Sequence, residues 1–181
     1  MKEDEKVILV NEHDDMTGIM DKMEAHKRGL LHRAFSIFIF NSKGEMLLQQ
    51  RALNKYHSAG LWTNACCSHP MPGEKTKDAA QRRLMEELGF ETPIEKIFDF
   101  TYKAEFENGL TEYEFDHVFA GEYGGDLNID PSEVKDFTYK EIPEIKSMLQ
   151  DHPQKFTAWF HIAFPKIEEW WRNKYADIVT L

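Results

Sequence analysis

The segment AFSIFIFNSKGEMLLQQR, residues 34–51, constrains the fold most. Two apolar runs rich in aromatic and branched residues flank NSKG, whose Asn, Ser and Gly favour a turn. This predicts a hairpin of strands 34–40 and 45–51. A second pair is predicted at IEKIFDFTYKAEF (94–106) and LTEYEFDHVFAGEY (110–123), which flank ENG; VILV (7–10) reads as a further short strand. Helical signals are interspersed. TKDAAQRRLMEELG (76–89) offers Thr76 as a cap, Asp78 in the first turn and Gly89 as a stop. EIPEIKSMLQ and KFTAWFHIAFPKIEEWWRNKY read as C-terminal helices, placing a helical part over 140–175, with the second interrupted at Pro165. Hairpins mixed irregularly with helices argue for a mixed α/β domain of the α+β type, not a doubly wound parallel sheet. No repeat, low-complexity tract or linker divides the chain, so one domain over 1–181 is expected.

A formal charge of -10 argues against a nucleic-acid binder, although a local cluster of Arg and Lys still permits an anionic ligand. The four-residue run VILV is too short for a signal-peptide core, and no stretch approaches membrane-spanning length. The expectation is a protein that binds neither nucleic acid nor membrane. Both cysteines sit side by side in GLWTNACCSHP (60–70). Vicinal cysteines make a strained disulfide, so a reduced, cytoplasmic protein is expected.

In an extended segment alternate side chains share a face. Cys67 and His69 then point one way and Cys66 the other, into the core. By the same rule Glu112 and Glu114 share a face in TEYEFD, opposite Tyr113 and Phe115. Two carboxylates pointing together repel unless a cation or a shared proton lies between them. Carboxylates and histidines suit a divalent ion, and His26 and His32 lie upstream. A solvated strand face, surface or core histidines and a buried apolar thiol explain the same spacings.

SHPMPGEKTKDAAQRRLMEELGF, residues 68–90, resembles the Nudix box, G-x5-E-x7-R-E-U-x-E-E-x-G-U with U apolar. Glu74, Arg82, Leu84, Glu86, Glu87, Gly89 and Phe90 fall on its positions. Ser68 replaces the first Gly, and Arg83 replaces a Glu of the carboxylate cluster that holds the metal in Nudix hydrolases. That cation weakens the case for diphosphate hydrolysis. Taken alone, Arg83 and Glu87 also read as an exposed ion pair four residues apart. Together with LLHRAFSIFIFNSKGEMLLQQRA, GLWTNACCSHP and YEFDHVFAGEY, the altered box resembles type I isopentenyl-diphosphate isomerases over roughly residues 5 to 175.

This resemblance implies a Nudix-like mixed β-sheet sandwiched by helices. It implies one divalent ion (Mn2+, Zn2+ or Mg2+) held by His26, His32, His69, Glu112 and Glu114. Cys67 and Glu114 are the implied catalytic pair, with Tyr102 as hydrogen-bond partner of Glu114 and Trp159 as the pocket tryptophan. Lys22, Arg51, Lys55 and Arg83 match positions around a substrate diphosphate, and Glu87 one that helps hold Mg2+ against it. The expected substrate is a small isoprenoid diphosphate, the expected assembly a monomer or dimer. In the expected reaction Glu114 delivers a proton to the alkene of isopentenyl diphosphate and Cys67 removes another, the roles exchanging in reverse. Either the thiol or the thiolate of Cys67 is admissible, since metal-bound histidines favour one and carboxylates the other. The rivals are a Nudix hydrolase and a catalytically silent binding module.

Overall fold

The computed structural model describes residues 5–179; the ends of the expected 1–181 span, residues 1–4 and 180–181, lie outside the described residues. Among the described residues, one mixed sheet of nine strands organises the fold. At its centre lies β3 (His32–Phe40). One edge of β3 pairs in parallel with β8 (Thr111–Glu122) along its whole length, from His32↔Glu114 to Phe40↔Glu122. The other edge is shared by three antiparallel partners: β1 (Lys6–Val10) at its start, β6 (Cys66–Ser68) in the middle and β4 (Met46–Arg51) at its end. β2 (Met16–Asp21) pairs with β1, and β7 (Ile94–Glu105) with β8. β5 (Trp62–Thr63) and β9 (Val134–Lys140) flank β4.

The predicted hairpin is therefore real only at its neck. β3 and β4 pair at Phe40↔Met46 and then part, because β6 takes the vacated edge of β3 and β5 takes that of β4. The second predicted pair is a long ladder, from Ile94↔Gly121 to Glu105↔Thr111.

Period-two alternation gives the sheet two apolar faces. Phe35, Ile37 and Ile39 point to one face, where they pack with Cys66, Ala79, Ala80, Leu84 and Leu88. The last four of these lie on α2 (Thr76–Leu88). Phe38 and Phe40 point to the other, against Ile142, Ile145, Phe160, Ala163, Phe164 and Ile167. These belong to α3 (Ile142–Asp151) and α4 (Ala158–Lys174), which are joined by a 3-10 turn at Pro153–Lys155. A short α1 (Lys22–Arg28) follows β2, and α5 (Ala176–Val179) closes the described chain.

Two local expectations are corrected. Lys75, not Thr76, is the cap residue of α2, and no side chain caps that helix; Thr76 is already its first helical residue. Asp78 in the first turn and a left-handed Gly89 (φ 74°) do bound it. A Cβ at position 89 would fall 2.6 Å from the Asn128 carbonyl oxygen, so glycine is required for space as well as for φ. Pro165 does not interrupt α4, which runs through it without a break. Proline removes one helical hydrogen bond, and buried Phe160, Ala163, Phe164 and Ile167 hold the helix to the sheet on both sides of that gap.

Candidate active site

The face of β3 that carries His32 and Ser36 opens at one end into a cavity of about 780 Å³. Register places its chemistry. Glu114 on β8 sits opposite His32 on one side and Tyr102 on the other. Tyr102 Oη donates to Glu114 Oε2 at 2.7 Å, and Glu114 Oε1 lies 2.9 Å from His69 Nε2 and 3.5 Å from His32 Nε2. Burial pushes the Glu114 carboxyl up. The hydrogen bond and charge of His32, with the hydrogen bond from Tyr102, outweigh it and bring the group down to about 2. The His69 imidazole is held well below its ordinary range by burial and by the nearby charges of His32, Lys22 and His26.

His26, His32, His69 and Glu114 each offer a ligand atom, and these atoms lie within 4.8 Å of one another. All four residues are buried. The donor set fits a cation. The Nδ1 atoms of His26 and His32 lie 2.6 and 2.8 Å from the carbonyls of Lys22 and Leu30, so each carries the proton there and turns the lone pair of Nε2 inward. His26 Nε2, His69 Nδ1 and Glu112 Oε2 are buried without a hydrogen-bond partner among the described residues. Buried lone pairs without a donor, those of His26 Nε2 and Glu112 Oε2 among them, fit a cation. Glu112 stands slightly apart from this group, with Oε1 3.3 Å from His57 Nε2. Sequence reasoning did not single out His57, which lies in the loop between β4 and β5, where no periodicity applies.

Cys67, on β6 opposite Ser36, points to the same face, while Cys66 is fully buried in the core on the α2 side. Trp159 Nε1 donates to Cys67 Sγ at 3.1 Å, the thiol donates to Asn64 Oδ1 at 3.1 Å, and Ser36 Oγ lies 3.5 Å away. Asn64 has its orientation fixed, because its Nδ2 donates to the carbonyls of Ile37 and Cys66. Burial, then the charge of Asp116, push the Cys67 thiol up to about 12, against the lowering hydrogen bonds of Ser36 and Asn64. Asp116 accepts from Ser36 Oγ at 2.7 Å and is itself pushed well above the carboxylate range by burial and by Glu114. The i, i+2 rule that pairs Glu112 with Glu114 extends one step to Asp116, so the sequence did carry a signal for it.

The expected basic residues all line the cavity. Lys22 Nζ lies 2.8 Å from Glu5 Oε2, and Lys55 pairs with Glu133. Arg51 Nη2 donates to the His57 carbonyl, and its guanidinium sits 5.3 Å from the Trp159 ring. Arg83 is partly buried, bonded to Glu86 and to Glu87 at 2.7 Å each, so it is not the exposed pair that spacing alone allows. Glu87 itself is turned toward Arg83 and Gln49, away from the histidines.

Residues 30–160 match the NUDIX domain family, and a fold of this class is found in DR0079 from Deinococcus radiodurans. That structure superposes with a TM-score of 0.68 at 18% identity, covering 82% of this chain and 90% of the other. The fold and the altered box thus define a NUDIX protein. Two relatives are more specific. An isopentenyl-diphosphate Delta-isomerase of Pectobacterium atrosepticum is 48% identical over 92% of this chain and 93% of its own. One from Burkholderia multivorans is 49% identical over 87% and 90%. The chain belongs to the isopentenyl-diphosphate Delta-isomerase family of NUDIX proteins.

Proposed function

We propose that the chain isomerises isopentenyl diphosphate to dimethylallyl diphosphate by adding one proton to the alkene and removing another. The carrying observation is that a thiol, Cys67, and a hydrogen-bonded carboxylate, Glu114 with Tyr102, project from the same sheet face into one cavity. An unactivated alkene is a very weak base, and its protonation gives a tertiary carbocation that water would capture. The reaction needs an acid, a base and a dry enclosure.

The pair supplies the first two. With the thiol protonated and the carboxylate ionised, Cys67 gives a proton to the terminal methylene and Glu114 takes one from the allylic carbon. The opposite order, Glu114 delivering and Cys67 removing, starts from the complementary state. That is the state a turnover leaves, with the proton on Glu114 beside the Tyr102 hydroxyl. Trp159, 2% exposed, supplies an aromatic wall. Cation–π attraction to a desolvated carbocation contributes about 2 kcal/mol, roughly thirtyfold in rate, whereas enzymes lower barriers by at least about 8 kcal/mol. Placement of the acid and base therefore has to supply most of the acceleration.

His26, His32, His69, Glu112 and Glu114 would hold one divalent ion, Mn2+, Zn2+ or Mg2+. Such an ion would fix the Glu114 carboxylate and lower its proton affinity. Lys22, Arg51, Lys55 and Arg83 would bind the diphosphate, drawing Lys55 from Glu133 and Arg83 from Glu86 and Glu87. Glu87 would help hold Mg2+ brought with the substrate. The reading extends to a single domain over 1–181, cytoplasmic and monomeric or dimeric.

Incubation with isopentenyl diphosphate and Mg2+ in deuterated water tests this. Deuterated dimethylallyl diphosphate is expected. Released phosphate or pyrophosphate would show a hydrolase, and unchanged substrate a silent binder; either overturns the proposal.

A further inference from the structure

Two buried hydroxyls and one amide join the stretch that leads into Cys67 to the entry of α4, and the isomerase reading does not use them. Thr63, Asn64 and Thr157 are all fully buried. Thr157 is the N-cap residue of α4, a position where a threonine ordinarily accepts from the free N–H groups of the helix. Its side chain makes no capping bond; its Oγ1 donates instead to Thr63 Oγ1 at 2.9 Å. Thr63 Oγ1 in turn donates to Asn64 Oδ1 at 2.9 Å, and the Cys67 thiol donates to the same oxygen at 3.1 Å.

The donor and acceptor roles along this run are forced. Asn64 Nδ2 faces the carbonyls of Ile37 and Cys66, at 3.0 Å each, and a carbonyl can only accept. The amide oxygen is therefore the atom turned to Thr63 and Cys67, and both must give it their hydrogens. Asn64 thus uses two donors and two acceptor sites in full, and turning its amide over would break all four bonds. Thr63, its hydrogen committed to Asn64, can only accept from Thr157. Trp159, two residues beyond Thr157, meets the same sulfur with Nε1 at 3.1 Å. The backbone closes the seam as well: the Thr157 N–H donates to the Trp62 carbonyl at 3.1 Å, beside a parallel bridge between Trp62 and Phe156. A hydroxyl diverted from a helix end is linked in this way to the thiol that faces the cavity.

We propose that Thr157, Thr63 and Asn64 are positioning residues for proton transfer at Cys67, tying the direction of its S–H bond to the seating of the α4 segment that carries Trp159. The three act through the sulfur and need not touch the substrate. Networks of this kind respond as a unit, and a misplacement of ~1 Å at a reacting group can cost about 10²-fold in rate. The consequence for rate rests on the isomerase reading; the direction of the S–H bond does not.

Two variants test this. Thr157→Val keeps the shape and removes the hydroxyl, whereas Thr157→Ser keeps the hydroxyl and removes a methyl group. With isopentenyl diphosphate and Mg2+, Thr157→Val is expected to lose kcat by about tenfold with KM within about twofold of natural. Thr157→Ser is expected to hold kcat within about twofold while unfolding at lower urea concentration, because a buried methyl is lost. Natural kcat in Thr157→Val, or a Thr157→Ser as slow as Thr157→Val, overturns the proposal. The infrared S–H stretch needs no turnover. In a Cys66→Ala background Cys67 alone contributes it, and adding Thr157→Val is expected to shift and broaden the band as the bond samples more than one direction. A band unchanged in position and width overturns the proposal. A natural chain that leaves isopentenyl diphosphate unconverted would refute the isomerase reading instead, and the infrared band then decides the S–H direction by itself.

Discussion

Cys66 and Cys67 are adjacent in the chain and face opposite sides of the sheet, and the two sides are built by different rules. The side that receives Cys66 is closed by α2 and is apolar: Phe35, Ile37, Ile39, Leu84 and Leu88 meet there. The side that receives Cys67 is apolar only under α3 and α4. Toward the His32 end of β3 it carries three carboxylates, Glu112, Glu114 and Asp116, on alternate positions of β8, with His32 and His69 against them. Burying that much charge is unfavourable without partners. The α2 side supplies stability, and the other side spends part of it on holding reactive groups out of water.

The sharpest way to break this contrast is to truncate each cysteine. Cys67→Ala is expected to lose isomerase turnover by about 10²–10⁴-fold, the usual contribution of a positioned proton-transfer group, while its denaturation midpoint changes little. Leu84→Ala on α2 should do the reverse. It destabilises by about 2–5 kcal/mol in urea denaturation, with kcat preserved in the fraction that remains folded.

A third contrast is in pH. Burial lowers the imidazoles of His69 and His26, aided by His32 in both cases. A histidine whose pKa falls on folding adds stability that is present above its unfolded value of about 6.5 and is lost as pH drops below it. His32 is opposite in sign: Glu114 outweighs its burial and raises it, so its contribution is present below about 6.5 and is lost as pH rises. His117 is lowered by burial as well, and Asp116, raised well above the carboxylate range, has the sign of His32; three lowered imidazoles against these two groups predict that the metal-free chain unfolds at lower urea concentration at pH 5.5 than at pH 7.5. An equal or higher midpoint at pH 5.5 would refute this balance.

Cys66→Ala is the milder probe of the apolar side, expected to destabilise by about 1 kcal/mol and leave turnover intact. Thr76→Ala should be smallest, within about 0.5 kcal/mol, because Thr76 makes no capping bond. A loss well beyond that would restore it as a cap.

Much of the site was legible because strands impose parity. That parity separates Cys66 from Cys67 and pairs Glu112 with Glu114, and it needs no tertiary knowledge. The resemblance to a family then brought His26, His32 and Tyr102 to that face. Three things were hidden. The early parting of β3 and β4 depends on β6 and β5 competing for their edges, which no local pattern encodes. The continuity of α4 through Pro165 comes from packing against the sheet. His57 lies in a loop, and its aim is set by Phe106, Tyr56 and a left-handed Ser58, contacts that spacing cannot express.

The central claim is that one of two neighbouring thiols moves a proton and the other only packs. The direct measurement follows turnover of isopentenyl diphosphate in deuterated water by the natural chain, Cys66→Ala and Cys67→Ala, side by side. Deuterated dimethylallyl diphosphate from the first two and almost none from the third is predicted; the label appearing at the natural rate with Cys67→Ala would contradict it.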